Sequence, residues 1–555
     1  MDANGDEAWK GTVSASRGAW NDQYRFVQPI DLTALNRAGT YRLQVEGLVV
    51  AESAPFRVAA APALFAVLTA NAVRYFREHR DGADQPLPAH LSDRQATVYG
   101  TPALAASGHA LGPLNAVGGQ VDVEGGWYDA GDYEKFTHTT AFALILMLLV
   151  QRDHPATAGL MVESAHGLDW LDKMWDGRTR TLYTQVGTGV GIAVGPRSFL
   201  GDHDTWRLPQ ADDAPAKPDD PAYYQRSRPV FRAAAPGQPI SPNLAGRVAA
   251  AFALAAQVEA TANPDRATAH LNAAAQIFAL ADTHPTGDLV TTQPRDFYPE
   301  NTWHDDLALA ATELAQAAMA LHDPRAADWE RQATRWAKAV IDDEYTDTLS
   351  VYDLSALADA ELGRLLTSAP VTGAEIPAAV LYRDLGARVA AGAAASAHDP
   401  FGAAAGSGGS DYAAQEFSYA AIADLYRVAT GNSRYAAFGT IQRGVALGAN
   451  GWGTSLVVGA GTTYPRCPHD PVADLSPGRP EPVGAVVNGP NLASRVRQNI
   501  AETRPSPCTQ SADFALFDRH DSVYTDDAGD SANTEPAIDF TAIALFAFAL
   551  AQGQP

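Results

Sequence analysis

Leu244–Ala260, LAGRVAAAFALAAQVEA, decides how this chain folds: it is long, alanine-rich and apolar at helical period. Working outward, the same texture recurs at Leu64–Arg80, Thr157–Trp175, Ala267–Ala281, Leu307–Leu321, Trp329–Ile341, Ala413–Thr430 and Ile538–Ala551. With weaker stretches included, the pattern predicts about a dozen helices, separated by Gly/Pro-rich loops of very uneven length. No fixed repeat of about 20–50 residues is visible, which argues against a solenoid. A dozen helices with long loops can close as an α/α toroid. Each pair then buries its apolar stripe against its neighbours, and the loops at one end build a cleft.

Ahead of Pro62 the texture differs. Tyr24–Val27 and Tyr41–Val45 alternate as short strands, with Asn36–Thr40 as the turn before the second. Residues 1–58 are few for a sandwich, which needs about seven strands and 100 residues. An incomplete sandwich with an unpaired edge or an exposed apolar face is expected there.

Composition narrows the function. Of 555 residues, 40 are Lys or Arg and 64 Asp or Glu, a net charge of −24. Such a chain is repelled by phosphate backbones and anionic lipid surfaces, so nucleic acid and membranes are poor partners. The longest apolar runs, Ala141–Val150 and Phe540–Ala551, are too short to span a bilayer. The opening MDANGDEAWK lacks the basic and apolar regions of a signal peptide, so either the protein is cytoplasmic or the natural start lies upstream. Cys467 and Cys508 exclude a disulfide-rich framework; they form one bridge or remain two buried thiols.

Two clusters carry chemistry. GGWYDAGDY (125–133) sets Asp129 and Asp132 three residues apart in a Gly-rich aromatic turn. Their repulsion raises at least one pKa unless something compensates, which suits a base and a helper holding one water. A solvated acidic turn is the plain alternative. YTDDAGDSANTEP (524–536) carries Glu535, read here as lying at or near a helix N-terminus with Pro536 in the first turn. It is either a carboxylate favoured by the helix dipole or a proton donor in an enclosed acidic site.

GGWYDAGDYEKF (125–136) closely resembles the catalytic-base motif of glycoside hydrolase family 9, and SANTEPAIDFTA (531–542) its C-terminal acid motif. HGLDWLDKMWD (166–176), GDHDTWRLP (201–209), FYPENTWHDDLALAATEL (297–314), LGANGWGTSLVVG (447–459), YPRCPHDPVADL (464–475) and GAVVNGPN (484–491) follow the family's order. Residues 1–58 resemble the second half of the immunoglobulin-like module that precedes many such domains.

The resemblance implies a mainly α chain: an (α/α)6-barrel catalytic domain over 59–555, behind a small, incomplete Ig-like β module at 1–58. It implies an inverting hydrolase of β-1,4-glucans, a cellulase or endoglucanase, with Asp132 as general base, Asp129 helping to hold the water and Glu535 as general acid. Inversion places the two carboxyls typically ~6.5–9.5 Å apart. Trp127, Trp206, Tyr298, Trp303 and His469 are the implied substrate contacts. It further implies an extracellular monomer acting on a β-glucan, with no cofactor required for catalysis. A structural zinc site is not expected, since Ala89-His90 stands near its place. Asp305 and Asp306 suit a structural calcium, or else cap the helix beginning near Leu307.

The chain departs from the family at Asp470-Pro471, where a second His or His-Gln/His-Arg is usual, and at Asp474 and Thr534, where Asn is common. Insertions at Asp202–Arg232 and Arg479–Pro507 would wall off one end of the cleft. An exo-acting glycosidase or glucosaminidase on short oligosaccharides is therefore the second reading. A non-catalytic carbohydrate-binding relative is the third, disfavoured by the presence of all three carboxylates.

Overall fold

Twelve helices of at least eleven residues form the body of the described residues in the computed structural model. It describes residues 1–553 apart from 3, 48–49, 83–90, 102–109, 112, 294, 344–346, 370, 500–512 and 520. The helices are α1 (Ala61–Glu78), α2 (Thr137–Asp153), α3 (Leu160–Lys173), α4 (Pro242–Glu259), α5 (Pro264–Phe278) and α6 (His304–Ala320). Then follow α7 (Ala326–Asp342), α8 (Ser355–Ser368), α9 (Ala378–Ser396), α10 (Tyr412–Thr430), α11 (Ala436–Ala446) and α12 (Ile538–Gln552).

The even-numbered helices are apolar on nearly every side. α2 is buried from Thr137 to Val150, and α4 from Pro242 to Ala256. A helix without a polar face must be covered all round. Accordingly α2 packs on α4, α4 on α6, α6 on α8, α8 on α10, α10 on α12 and α12 on α2. The contact between α4 and α6 is close enough to need glycine: a Cβ on Gly246 would stand 2.6 Å from the Asp306 carbonyl carbon.

The odd-numbered helices are one-sided. α7 buries Trp329, Ala333, Trp336, Ala337 and Val340, a stripe at helical spacing, and lies against α6. In the same way α3 covers α2, α5 covers α4, α9 covers α8, α11 covers α10 and α1 covers α12.

The helical texture gave no hint of a six-stranded sheet. Its strand order is Ala116–Val121, Ala96–Tyr99, Pro229–Arg232, Thr181–Val186 and Lys135–Phe136, with Trp175–Asp176 pairing the start of Thr181–Val186. The Lys135–Phe136 strand runs directly into α2, so the sheet fixes the turn before it. No helix among the described residues is long and apolar enough to cross a membrane.

At the front, Gly39–Tyr41 pairs with Phe56–Val58, and Gln44–Val45 with Ala51–Glu52. The expected strand at Tyr24–Val27 is absent. That segment is the return arm of an irregular hairpin, bonded through Val27 N–H to Gly18 O at 2.9 Å and Trp20 N–H to Tyr24 O at 2.8 Å. Trp20 fastens the hairpin to the helical body. Its Nε1–H donates to Phe517 O at 2.6 Å, and its ring meets Phe401 and Trp452 edge-on. Cys467 is disulfide-bonded, so it is not a free thiol; Cys508 and His90 lie outside the described residues.

Candidate active site

The turn that carries Asp129 and Asp132 is held from beneath. Lys135 is fully buried; its Nζ donates to Asp81 Oδ2 at 2.6 Å and to the carbonyls of Val123 and Gly125 at 2.8 and 3.0 Å. A buried ammonium persists only when its charge and donors are satisfied. Here two carboxylates, Asp81 and Asp93, and two carbonyls do so. Gly131 is required at the crest of the turn, since a Cβ there would stand 2.0 Å from His469 O.

Asp129 faces inward. Its Oδ1 accepts from the Thr139 hydroxyl and its Oδ2 from Tyr298 Oη at 2.6 Å. Burial, reinforced by the nearby charge of Asp132, pushes its carboxyl up to about 7. Asp132 accepts from Glu134 N–H at 2.7 Å through Oδ1, and its Oδ2 lies 3.3 Å from His203 Nε2. Glu134 is fully buried, with Oε2 3.7 Å from the same nitrogen. Burial alone would discharge His203, but Asp132, Glu134 and Glu535 outweigh it and hold the imidazolium well above the ordinary histidine range. The ligand atoms of Asp132, Glu134 and His203 lie within 4.8 Å of one another, a grouping of metal-binding type.

Glu535 lies near the helix N-terminus, but Pro536 falls before the first turn. α12 starts at Ile538 with Ala537 before it, while Glu535 ends a four-residue helix, Ser531–Thr534, in extended conformation. The bridge between Val487 and Pro536 and the Asn488 N–H to Glu535 O bond at 2.9 Å pull this stretch straight. Glu535 Oε1 accepts from Gly131 N–H at 3.3 Å, and Ile538 N–H donates to Asp129 O at 2.9 Å. Residues 400 positions apart are thereby laced into one site.

The implied substrate contacts divide. Trp206, Tyr298 and His469 line the cleft. Trp206 Nε1–H donates to Asp474 at 3.1 Å, and its ring meets His469 edge-on at 4.7 Å. His469 Nδ1 lies 2.7 Å from Ala528 O, which makes Nδ1 the protonated nitrogen of a ring that burial keeps neutral, down to about 4. Trp127 and Trp303 line neither of the two pockets that the others line. Trp127 is fully buried behind the turn, donating to Glu163 at 2.7 Å, because the ring fills the space between α1 and α3. Trp303 packs on His304 and on Trp336 of α7.

Asp305 and Asp306 are engaged by protein donors, not arranged as an open cation site. Asp305 accepts from Thr302 Oγ1 and Leu354 N–H, and Asp306 from Arg247 Nε at 2.9 Å. Neither is the N-cap of α6; Trp303 occupies that position. Asp470 caps the short helix Pro471–Leu475 and pairs with His79 at 3.2 Å, which gives this departure a structural use.

Two pockets meet in the cleft. One, of about 210 Å³, is lined by Asp129, Tyr298, Tyr352 and Asp411; the other, of about 90 Å³, by Trp206, Arg207 and His469. Asp132, His203 and Glu535 line both. His203 and Asp411 were missed from the sequence. His203 stood in the quoted GDHDTWRLP motif; Asp411 follows a Gly/Ser loop that carries no signal.

The profile of glycosyl hydrolase family 9 matches residues 65–548, and the chain belongs to that family. It is 30% identical over 208 residues to Endoglucanase 19 of Oryza sativa subsp. japonica, covering 36% of this chain and 35% of that protein. It is 27% identical over 404 residues to Endoglucanase B of Cellulomonas fimi, covering 66% and 34%. The matched stretches thus span about a third of these relatives. Among solved structures, GH family 9 endoglucanase J30 superposes with a TM-score of 0.72 at 22% identity, over 100% of this chain and 96% of that one. The endoglucanase of the termite Nasutitermes takasagoensis gives 0.63 at 19% identity, over 88% and 99%.

Proposed function

We propose that the chain cleaves β-1,4-glycosidic bonds of a cellulose-like glucan with inversion, as an endoglucanase. The body is a closed (α/α)6 barrel of six inner and six outer helices over residues 59–555. Residues 1–58 are an incomplete Ig-like module docked through Trp20. One observation carries the reading: the two pockets of the cleft share Asp132, His203 and Glu535 and no other residue. A sugar on each side places the scissile bond between the proposed acid and base.

Glu535, protonated, donates to the glycosidic oxygen, and the C1–O bond breaks with its electron pair staying on that oxygen. A water attacks C1 from the opposite face and passes its proton to Asp132. Asp129, fixed by Thr139 and Tyr298, steadies the water. His203 keeps Asp132 aimed. No cofactor enters these steps. Trp206 and His469 flank the leaving sugar, Trp206 by its apolar face. The protein is proposed to act outside the cell, as a monomer.

Product analysis on cellulose and cellohexaose, with the anomer followed by NMR, tests this. The α-anomer should appear first and internal bonds should be cut. Appearance of the β-anomer, release from one chain end only, or equal activity in Asp132→Asn would each overturn part of the reading.

A further inference from the structure

Residues 1–58 bound a cavity of about 430 Å³, against about 210 Å³ for the larger pocket of the cleft, and none of the proposed catalytic residues lines it. Its apolar lining, with Trp9, Leu32, Leu43 and Val45, is half-buried. The polar side chains around it, Glu7, Lys10, Arg42, Gln44 and Glu46, are exposed. The cavity thus has an apolar floor under a polar rim.

Most of that rim is not spent on the fold. Arg42 pairs with Glu52 at 2.8 Å, but the side chains of Glu7, Lys10, Gln44 and Glu46 make no hydrogen bond or ion pair among the described residues. Trp9 is unengaged in the same way. Its ring lies against Gly11, and no other ring, cation or hydrogen-bond acceptor meets it among the described residues. A half-buried indole offers an apolar face and an N–H donor together, which suits a ligand that is apolar on one side and wet on the other.

In a chain of net charge −24, this rim carries two acids, Glu7 and Glu46, against two bases, Lys10 and Arg42, so its side chains favour an ion of neither sign. A neutral pyranose chain fits such a surface. Its C–H faces suit Trp9 and the apolar floor, and its hydroxyls both donate and accept, as carboxylates, an ammonium and an amide require. An added peptide strand fits less well, because the strand pairs here are only three and two residues long and offer few ladder bonds. We propose that this cavity is a second, non-catalytic glucan site, which takes a short stretch of the polymer that the cleft cuts. The inference takes its ligand from the hydrolytic reading but names a separate place for it. A polymer held at both sites meets the cleft at a raised effective concentration, without any new contact at the reacting bond.

The test uses the full chain, with Glu535→Gln to stop turnover. Calorimetry with cellohexaose should show two classes of site in that variant. Adding Trp9→Ala should weaken the second class at least ~10-fold, the worth of one large apolar side chain removed from a contact. Gln44→Ala, which removes only an exposed side chain, should weaken it in the same direction without moving the unfolding midpoint; it carries the test if Trp9→Ala unsettles residues 1–58. With Glu535 intact, Trp9→Ala should release the protein from swollen cellulose and leave kcat/KM on cellotriose unchanged. A single class of site for cellohexaose, or a second class that survives both substitutions, overturns the proposal. So does a peptide of alternating Val and Thr that binds there in place of the glucan, the mark of a strand-accepting edge. Failure to hydrolyse any glucan would count against the hydrolytic reading alone, while the calorimetric stoichiometry would still decide the second site.

Discussion

Two buried carboxylates, Glu300 and Asp129, lie close to each other through Tyr298 and His138 yet are treated in opposite ways. At Glu300, burial works against ionisation, but Arg247 Nη1 donates at 2.7 Å and holds the carboxyl below its ordinary range. At Asp129 burial works the same way with the charge of Asp132 beside it, and the hydroxyls of Thr139 and Tyr298 do not offset them, so the carboxyl is pushed up to about 7. A guanidinium fixes both position and charge; hydroxyls fix position and leave the proton free to move. Arg247 also takes Asp306 and the Val351 carbonyl, tying α4 to α6 and to the loop before α8. One cluster serves the fold and the other is proposed to serve the reaction, and substitutions should separate them.

The largest effect is expected at the reacting pair. Asp132→Asn and Glu535→Gln should each reduce kcat ~10²–10⁴-fold, the usual contribution of a positioned acid or base, with little change in the unfolding midpoint. Activity retained in either would detach the site from the chemistry. In the other cluster the effect should fall on stability. Arg247→Met strands Glu300 and Asp306 without their cation in a fully buried place, at a cost of about 3–5 kcal/mol. Urea unfolding monitored by circular dichroism measures it; a loss under about 1 kcal/mol, far short of that range, would show that the network is dispensable.

How far the two clusters could be read in advance follows from their physics. Helices α1, α3–α7, α10 and α12 were legible because long alanine-rich runs leave a helical period in the sequence, and the proposed base and acid because DAGD and NTEP are compact motifs. The six-stranded sheet was not. Thr181–Val186 is buried at every position, so it shows no alternation, and Ala96–Tyr99 pairs with residues 229–231, far along the chain. The aromatic neighbours misled in part. Trp127 and Trp303 carry the same ring as Trp206, and only packing decides which of them faces the cleft. Arg247 sits mid-helix among alanines, with its partners 53 and 59 residues away, and nothing local announces the pairing.

A pH titration sharpens the contrast. Below the ordinary aspartate value of 3.8, Asp129 is protonated whether the chain is folded or not. Between 3.8 and about 7 the unfolded chain releases the proton while the folded one keeps it. The folded state then binds more protons, and stability falls as pH rises through that window. Asp129→Asn has no proton to release, so it should gain stability relative to wild type from pH 4 to 7, by about 1.4 kcal/mol per pH unit at most. Unfolding free energies of both proteins across that window measure the slope, and parallel curves would refute the raised pKa.

The smallest change should be the most informative about Tyr298. Its ring packs on Phe136 at 5.7 Å and His138 at 5.4 Å, while its hydroxyl donates to Asp129 at 2.6 Å. Tyr298→Phe keeps the ring and removes only that donor, so stability should fall by no more than about 1 kcal/mol, the net value of one such bond. Asp129 is left with Thr139 alone, free to turn away from the water it is proposed to steady. It also loses a bond that favours its ionised form, so its pKa should rise further. The expected outcome is a fall in kcat of up to ~10-fold, consistent with one lost hydrogen bond in the transition state, with KM little changed. The pH dependence of stability should also be displaced upward. A merely structural tyrosine would move the unfolding midpoint and leave the pH profile where it was. That result would place Tyr298 with Arg247 on the side of the fold, and the division between the two clusters would have to be redrawn at Asp129 itself.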